Sequence, residues 1–411
     1  MIPAVVGAGQ RVRERRARRV ELRVPQTRLP VAELFLWSRI AIWVAAAFAF
    51  LWFEPNRHPR AGVWDRPIMH ELGWFTDLWA RWDSRFFLEI AQHGYDHASA
   101  AFPPLYPASL WVLGHVLGGQ YVLAGVAISL AAALGSFVLL HRLAEPRLGA
   151  GGARRAVLYL AVCPMSLFLQ AVYSESLFLL LALAAFALAE RGHHLEAGLA
   201  AGLAILTRAI GVALLPSLVL LAWRERRRGR ALLGVAVALP VAAVYPLVLW
   251  AKVGDPWAFK SAESQWHRHV SPAGPLGGLW QGLRAGWHGL QQVFTGHGAG
   301  VPGAAPMHAA AVNLESLAFL ALFIVLTVVA WKRFGAPYGL FAALSLAIPL
   351  SVPSSRWPLL SLPRFGLVVF PFFLALAALG GRPRMHTALV AISSMLLGVA
   401  IVQWALWQWV A

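Results

Sequence analysis

Apolar segments recur along the 411-residue chain at 31–53, 121–140, 156–172, 175–189, 197–210, 211–223, 231–251, 309–331, 338–352, 364–380 and 387–408. That repetition leaves few folds open. A helix of about 20 apolar residues spans the ~30 Å hydrocarbon core of a bilayer, and backbone groups inside lipid must find their partners within the segment, which favours helices. Only 13% of the residues are charged, about half the share of a soluble protein, so the surplus apolar surface has to face lipid. The sequence predicts an all-α polytopic membrane protein with about eleven transmembrane helices. Several segments are shorter than a full crossing, so some of the helices are expected to be tilted, broken or buried among others.

The net charge of +17 would suit nucleic acid if it sat on a soluble domain. Here the basic residues stand in short runs between apolar segments, which is the positive-inside signal, and no nucleic-acid partner is expected. With a cytoplasmic N-terminus and eleven crossings, cytoplasmic segments hold 22 of the 35 basic residues. They include the arginines from Arg11 to Arg28, the four at 142, 147, 154 and 155, and the cluster Arg224 to Arg230. Reading 197–223 as one crossing would export one of these groups, so two short helices meeting near Thr207, Arg208 and Gly211 are predicted. The chain divides into a basic cytoplasmic tail, 1–30, and one transmembrane domain, 31–411. Two long outer loops fall at about 54–120 and 252–308, and the second, with Gly274, Gly277, Gly278, Gly298, Gly300, Pro302 and Gly303, is expected to be partly flexible. The run 31–53 is long enough to cross, and no small-residue cleavage site follows it, so it reads as a first span rather than an export signal. This describes a multi-pass protein of the cell membrane. Cys163 is the sole cysteine, so no intrachain disulfide can form.

Within the first outer loop, Trp79, Trp82, Phe86 and Ile90 recur at helical spacing. A surface helix is expected there, with aromatics at headgroup depth and Gly94 as its C-terminal stop. Asp83 then sits at the boundary of water and lipid, either as a helix N-cap or partner of Arg81 and Arg85, or as a chemical group. Phe102 to Pro107 reads as a rigid turn. Glu175 stands at the tip of a very short outer turn, where ionisable groups often mark function and where helix capping is the plainer reading. Arg208, at the turn of the broken helix, and Arg364, opening a span, either anchor helix ends or face a lipid phosphate. The histidines show no metal-like spacing backed by other ligands. There is no phosphate-binding glycine loop, dinucleotide fingerprint or nucleophile elbow.

These residues form a recognisable set: Trp82-Asp83, His93-Gly94-Tyr95, Ala101-Phe102-Pro103, Tyr106-Pro107, Tyr173-Ser174-Glu175-Ser176, Thr207-Arg208, Gln265-Trp266 and Pro363-Arg364-Phe365. Together they resemble the PIG-V family of mannosyltransferases. The sequence departs from the family pattern in Phe102-Pro103-Pro104, where a second phenylalanine is expected, and in its basic N-terminal extension. The resemblance implies a GT-C-type fold with surface helices in the first outer loop, a polyprenyl-phosphate sugar donor and a catalytic acid matching Asp83. The bias towards Ala, Arg and Gly is that of a high-GC bacterium, where glycosylphosphatidylinositol anchors are not expected, and this leaves the acceptor open.

The chemistry expected is mannosyl transfer on the outer face. Sugar nucleotides stay in the cytosol, so the activated sugar has to arrive on a lipid. A glycosyl phosphate already carries a good leaving group, so one carboxylate suffices where a glycosidase needs two. Asp83 is expected to be the general base, with Arg208 and Arg364 on the departing phosphate and inversion at the anomeric carbon. Trp82, His93, Tyr106, Glu175, Gln265 and His267 are candidate contacts for sugar or acceptor. No cofactor is required, and a divalent metal is not indicated. A transporter or flippase of lipid-linked saccharides is the alternative, although the hydropathy pattern has no two-fold repeat.

Overall fold

The computed structural model describes residues 30–56, 63–297 and 306–410. The basic tail up to residue 29, and Gly298, Gly300, Pro302 and Gly303 of the second loop, lie outside the described residues. Helices dominate from end to end: α1 (Val31–Trp52), α2 (Ser84–His93), α3 (Leu105–Val116), α4 (Tyr121–Ala161), α5 (Glu175–Ala189), α6 (His194–Ile205), α7 (Leu214–Trp223), α8 (Arg228–Ala236) and α9 (Ala238–Val253). There follow α10 (Pro275–Thr295), α11 (Pro306–Phe334), α12 (Ala336–Ser351), α13 (Leu362–Leu367), α14 (Pro371–Leu379) and α15 (Pro383–Ala405). Among the described residues, five helical stretches are long and apolar enough to cross a membrane: α1, α4, α8 with α9, α11 and α15. Shorter apolar helices are α5, α6, Ala209–Trp223 and α12. The protein is an all-α, multi-pass membrane protein, and the count of eleven crossings does not emerge from these helices.

The differences from expectation have local causes. The segments 121–140 and 156–172 fall, as expected, on two helical arms, which together make up α4 and part at Gly149, whose φ of 68° lies where glycine is at ease. The chain doubles back there, because Ser129 in the first arm hydrogen-bonds the Ala171 carbonyl beyond the second (2.7 Å). Regular helix stops at Ala161 rather than running to 172. The carbonyls freed at that stop are met by a charge from the first span: Arg39 of α1 donates to the carbonyls of Ser166 (2.8 Å) and Ala161 (3.3 Å) and to Ser166 Oγ (2.7 Å). A guanidinium inside a membrane protein is costly unless its donors are used, and these helix-end acceptors use them. Segment 364–380 is likewise divided into α13 and α14, with Pro371 opening the second piece.

Segment 197–223 does form two short pieces, α6 and Ala209–Trp223, parted at Thr207-Arg208. Close packing keeps α6 against α8 and α9: a Cβ on Gly198 would lie 2.2 Å from the Gly234 carbonyl oxygen, and one on Gly202 would lie 2.6 Å from Val241. Membrane helices associate by this kind of close backbone approach at small residues.

The bundle has two chemically distinct ends. At one, Arg147 hydrogen-bonds Glu190, Glu190 accepts from the Tyr338 hydroxyl (2.6 Å), and Arg155 donates to the Ala377 carbonyl (3.2 Å). At the other, α5 begins at Glu175, α6 ends before Arg208, and the two long loops meet. Glu71 of the first loop caps α4 there, its carboxylate accepting from the amides of Tyr121 (2.9 Å) and Val122 (2.7 Å), where the helix dipole favours an anion.

Candidate active site

Helix α2 starts at Ser84 and stops at Gly94, with φ at 88°, as its sequence signals predict. Its aromatic face is not open to the surroundings but buried in the protein. Phe86 stacks on Phe102 (4.7 Å between centroids), while Phe87 meets Tyr106 (5.1 Å) and Tyr173 (6.2 Å). All three partners come from the protein itself, so α2 is sealed into the loop-bearing end of the bundle.

Asp83 immediately precedes α2 but makes no side-chain cap bond. Its orientation is set by the backbone before it. Trp82 takes a φ of 50°, a left-handed conformation that costs a non-glycine residue about 1–2 kcal/mol. Edge-on contacts with Trp64, Trp407 and Trp409 hold the indole in place. The Tyr173 hydroxyl accepts from the Asp83 amide (3.1 Å) and donates to the Arg81 carbonyl (3.2 Å), which clamps the turn from the other side. Arg81 stays with this scaffold: it donates to the Asp77 carbonyl (3.0 Å) and lies over the Trp407 ring (4.2 Å). Burial pushes its guanidinium down to about 10, which still leaves it charged at neutral pH.

The carboxylate of Asp83 pairs with neither Arg81 nor Arg85 but with Arg364, 281 residues away, at 2.8 Å. Arg364 Nε approaches Glu175 at 3.5 Å, and Glu175 takes Arg208 Nη1 at 2.7 Å. Two acids and two arginines thus alternate in one chain of contacts, Asp83, Arg364, Glu175, Arg208, with formal charges that cancel. Cancellation is what allows four charges to share a buried place, since an unpaired buried ion costs several kcal/mol. Glu175 has no exposed surface, and Asp83 and Arg364 keep only 6% and 8%. Asp83 Oδ1, Glu175 Oε2 and Arg364 Nε are among the buried atoms of this cluster without a hydrogen-bond partner, and Asp83 is the acid of the two that also lines the cavity.

Asp83, Arg208 and Arg364 line one cavity of about 440 Å³. Its far wall comes from the second loop through Lys260, Glu263, Trp266 and Arg268. This wall is pinned in place. Arg268 donates to the carbonyls of Val352 (3.2 Å) and Leu360 (3.1 Å), and Ser354 Oγ donates to the Trp266 carbonyl (2.8 Å). Desolvation raises the Glu263 carboxyl above its usual range, with Arg268 opposing the shift. The rest of the lining is largely apolar, including Ile210, Val270, Ile348 and Phe365. Among the described residues, no three His, Cys, Asp or Glu side chains converge to hold a metal ion.

Of the residues singled out in the sequence, Asp83, Glu175, Arg208 and Arg364 come together. The motif residues Phe102, Tyr173, Thr207, Trp266 and Phe365 line the cavity as well, whereas Trp82, His93, Tyr106, Gln265 and His267 lie outside its lining. Trp82 supports the turn, and Tyr106 is buried in the core, its hydroxyl 3.1 Å from Ser129 Oγ. His93 and His267 are exposed. Gln265 ties the two loops together through the Ala98 carbonyl (2.7 Å). Sequence reasoning missed Lys260, Glu263, Arg268 and the cavity-lining Trp409. The Gln265-Trp266 motif pointed to the right loop, but nothing in spacing indicates that Trp409 folds back onto Trp82.

Fold and site together define a multi-pass membrane protein whose paired acids and arginines open onto a half-apolar cavity. Residues 69–221 match the mannosyltransferase (PIG-V) family. That stretch carries most of the motifs quoted above and supplies Asp83, Glu175 and Arg208. The chain is similar to GPI alpha-1,6-mannosyltransferase 2 of Rattus norvegicus, at 32% identity over 172 residues, covering 39% of this chain and 34% of the relative. The match thus spans about a third of that protein's length. Among solved structures it is loosely similar to ArnT from Cupriavidus metallidurans bound to undecaprenyl phosphate, with 17% identity, 90% of this chain and 77% of that chain covered, and a TM-score of 0.39. It is also loosely similar to the Archaeoglobus fulgidus oligosaccharyltransferase tethered to an acceptor peptide, with 14% identity, 91% and 55% coverage, and a TM-score of 0.40.

Proposed function

We propose that this protein is a glycosyltransferase of GT-C type that moves mannose from a polyprenyl-phosphate donor to a hydroxyl acceptor on the outer face of the cell membrane. The observation that carries the reading is the placement of Asp83: buried, at the cavity wall, with one oxygen paired to Arg364 and the other unpartnered. The family match over the stretch bearing Asp83, Glu175 and Arg208 supports it. The gathering of basic residues at the opposite end of the bundle supports the orientation.

In this reading the donor phosphate enters between Arg208 and Arg364, and the apolar lining around Ile210, Val270 and Ile348 receives the first isoprenyl units. The phosphate competes with Asp83 for Arg364, so the carboxylate is released as the donor binds. Asp83 then takes the proton from the acceptor hydroxyl while the acceptor oxygen bonds the anomeric carbon. The bond from that carbon to the phosphate oxygen breaks, and its electron pair leaves with the polyprenyl phosphate, stabilised by the two guanidiniums. Attack opposite the phosphate inverts the anomeric centre, turning a β-linked donor into an α-mannoside. Glu175 holds the two arginines apart and aimed into the cavity before the donor arrives.

The test is transfer of labelled mannose from polyprenyl-phosphate mannose in membranes holding wild type or Asp83→Asn at matched expression. Removing a general base costs about 10²–10⁴ in rate, and donor binding should persist. Equal transfer by both proteins would make Asp83 a structural group. Absence of transfer by wild type, with movement of the lipid between leaflets, would favour a flippase.

A further inference from the structure

Helix α10, in the loop whose glycines suggest flexibility, is 21 residues long and presents three different faces. At 100° per residue, Gly278, Gly282, Gly286 and Gly289 share one side, and all four are buried. A Cβ on Gly278 would lie 2.1 Å from the Leu350 carbonyl oxygen, one on Gly282 2.9 Å from the Leu359 side chain, and one on Gly286 2.4 Å from Leu317. The glycines therefore let the helix backbone lie directly on α11 and on the segment 350–359 beside the cavity. Leu276, Trp280, Leu283, Trp287, Leu290 and Phe294 form a second stripe, and every one of them is exposed. Trp280 and Trp287 leave 68% and 60% of their surface open. Arg284, His288 and Gln291 form a third stripe, also exposed, centred about a quarter turn from the apolar one.

We propose that α10 lies in the headgroup layer of the bilayer at the cavity-bearing end, with its Leu276 to Phe294 stripe in lipid and its Arg284, His288 and Gln291 stripe in water. The charged and polar side chains of Arg284, His288 and Gln291, in the middle and second half of the helix, are costly in the hydrocarbon and argue against a crossing, and an apolar stripe of this size does not stay in water. Tryptophans flanked by polar residues belong at the boundary between the two. The neighbour fixes the occupant as lipid. Helix α11 has 29 residues and is about 43 Å long, which exceeds the ~30 Å hydrocarbon core. Its early turns carry His308, Asn313 and Glu315, while Leu322, Val325 and Val328 further along are exposed and apolar. Helix α10 packs against those early turns, at Ala310 and Leu317, where the span leaves the hydrocarbon. Its glycine seam then sets Leu350 and Leu359, the chain neighbours of the cavity-lining Pro349 and Leu360, at a fixed depth relative to the membrane surface. This inference stands on the helix alone, whatever reaction the cavity supports.

The test is a nitroxide scan of single cysteines along 276–294 in a Cys163→Ala background, with the full chain in liposomes of phosphatidylcholine and phosphatidylglycerol. Collisions with oxygen, which partitions into lipid, should peak at Leu283, Trp287 and Leu290. Collisions with a water-soluble nickel chelate should peak at Arg284, His288 and Gln291, about a quarter turn out of phase. Equal access of the chelate to both stripes would overturn the proposal, placing the helix in water. Exclusion of both reagents from the apolar stripe would also overturn it, giving that face to a second protein chain.

Discussion

At the scale of single residues, the order of charges at the cavity decides which substitutions are tolerated. Glu175 is the carboxylate shared by Arg208 and Arg364, so Glu175→Gln leaves two buried guanidiniums facing one acid. Breaking a buried pair of this kind costs about 3–5 kcal/mol, which should appear as a lower melting temperature in detergent. A ligand that binds only the native state adds stability that grows with the logarithm of its affinity. Polyprenyl phosphate should therefore raise the melting temperature of the Glu175→Gln protein more than that of wild type, because the phosphate supplies the missing charge. An equal rise in both would remove the two arginines from phosphate binding. This cluster was only partly legible in the sequence. Asp83, Glu175, Arg208 and Arg364 were each identifiable as ionisable groups beside apolar runs, but the pairing of Asp83 with Arg364 spans 281 residues, and spacing carries no information over that distance. The nearer arginines, 81 and 85, were the natural partners on paper. In the folded chain the left-handed turn at Trp82 and the clamp from Tyr173 aim Asp83 elsewhere.

Elements were read well where a local signal fixed them and poorly where tertiary contact did. The stop of α2 at Gly94 and the division of 197–223 at Thr207-Arg208 followed from turn chemistry and charge placement. The burial of α2 and the existence of α10 did not. A sequence such as Gly277-Gly278-Leu279-Trp280-Gln281-Gly282 has poor helix propensity, and only the close approach to Leu350 and Leu359 gives it a reason to be helical. The same logic governs the broken segment of α6, where Gly198 and Gly234 let two backbones meet. Gly198→Leu places a side chain where the Gly234 carbonyl already sits, 2.2 Å from the new Cβ. Overpacking of this kind costs about 1–3 kcal/mol. The variant should show a lower melting temperature and easier proteolysis in the Arg224 to Arg230 turn, whereas Gly229→Leu, at a position with open space, should show neither.

Across the whole molecule, among the described residues, Arg147, Arg155 and the Arg224 to Arg230 cluster lie at the end of the bundle away from the cavity, which makes the orientation testable in one step. In a Cys163→Ala background, a cysteine at Arg227 should resist a membrane-impermeant maleimide added to intact cells, and one at His269 should react. The reverse pattern would place the cavity on the cytoplasmic side and remove the need for a lipid-borne sugar. The contact between Arg39 and the break after Ala161 bears on how such a chain comes to be assembled. Its two halves are 127 residues apart in sequence, and at about 5–20 residues per second the first helix waits roughly 6 to 25 seconds during synthesis before the acceptors for its arginine exist. For that interval a cation in the middle of an otherwise apolar helix must remain near the insertion machinery or another polar surface. The first span is therefore expected to be a held component of the nascent chain until the returning arm of the α4 hairpin arrives to receive its arginine.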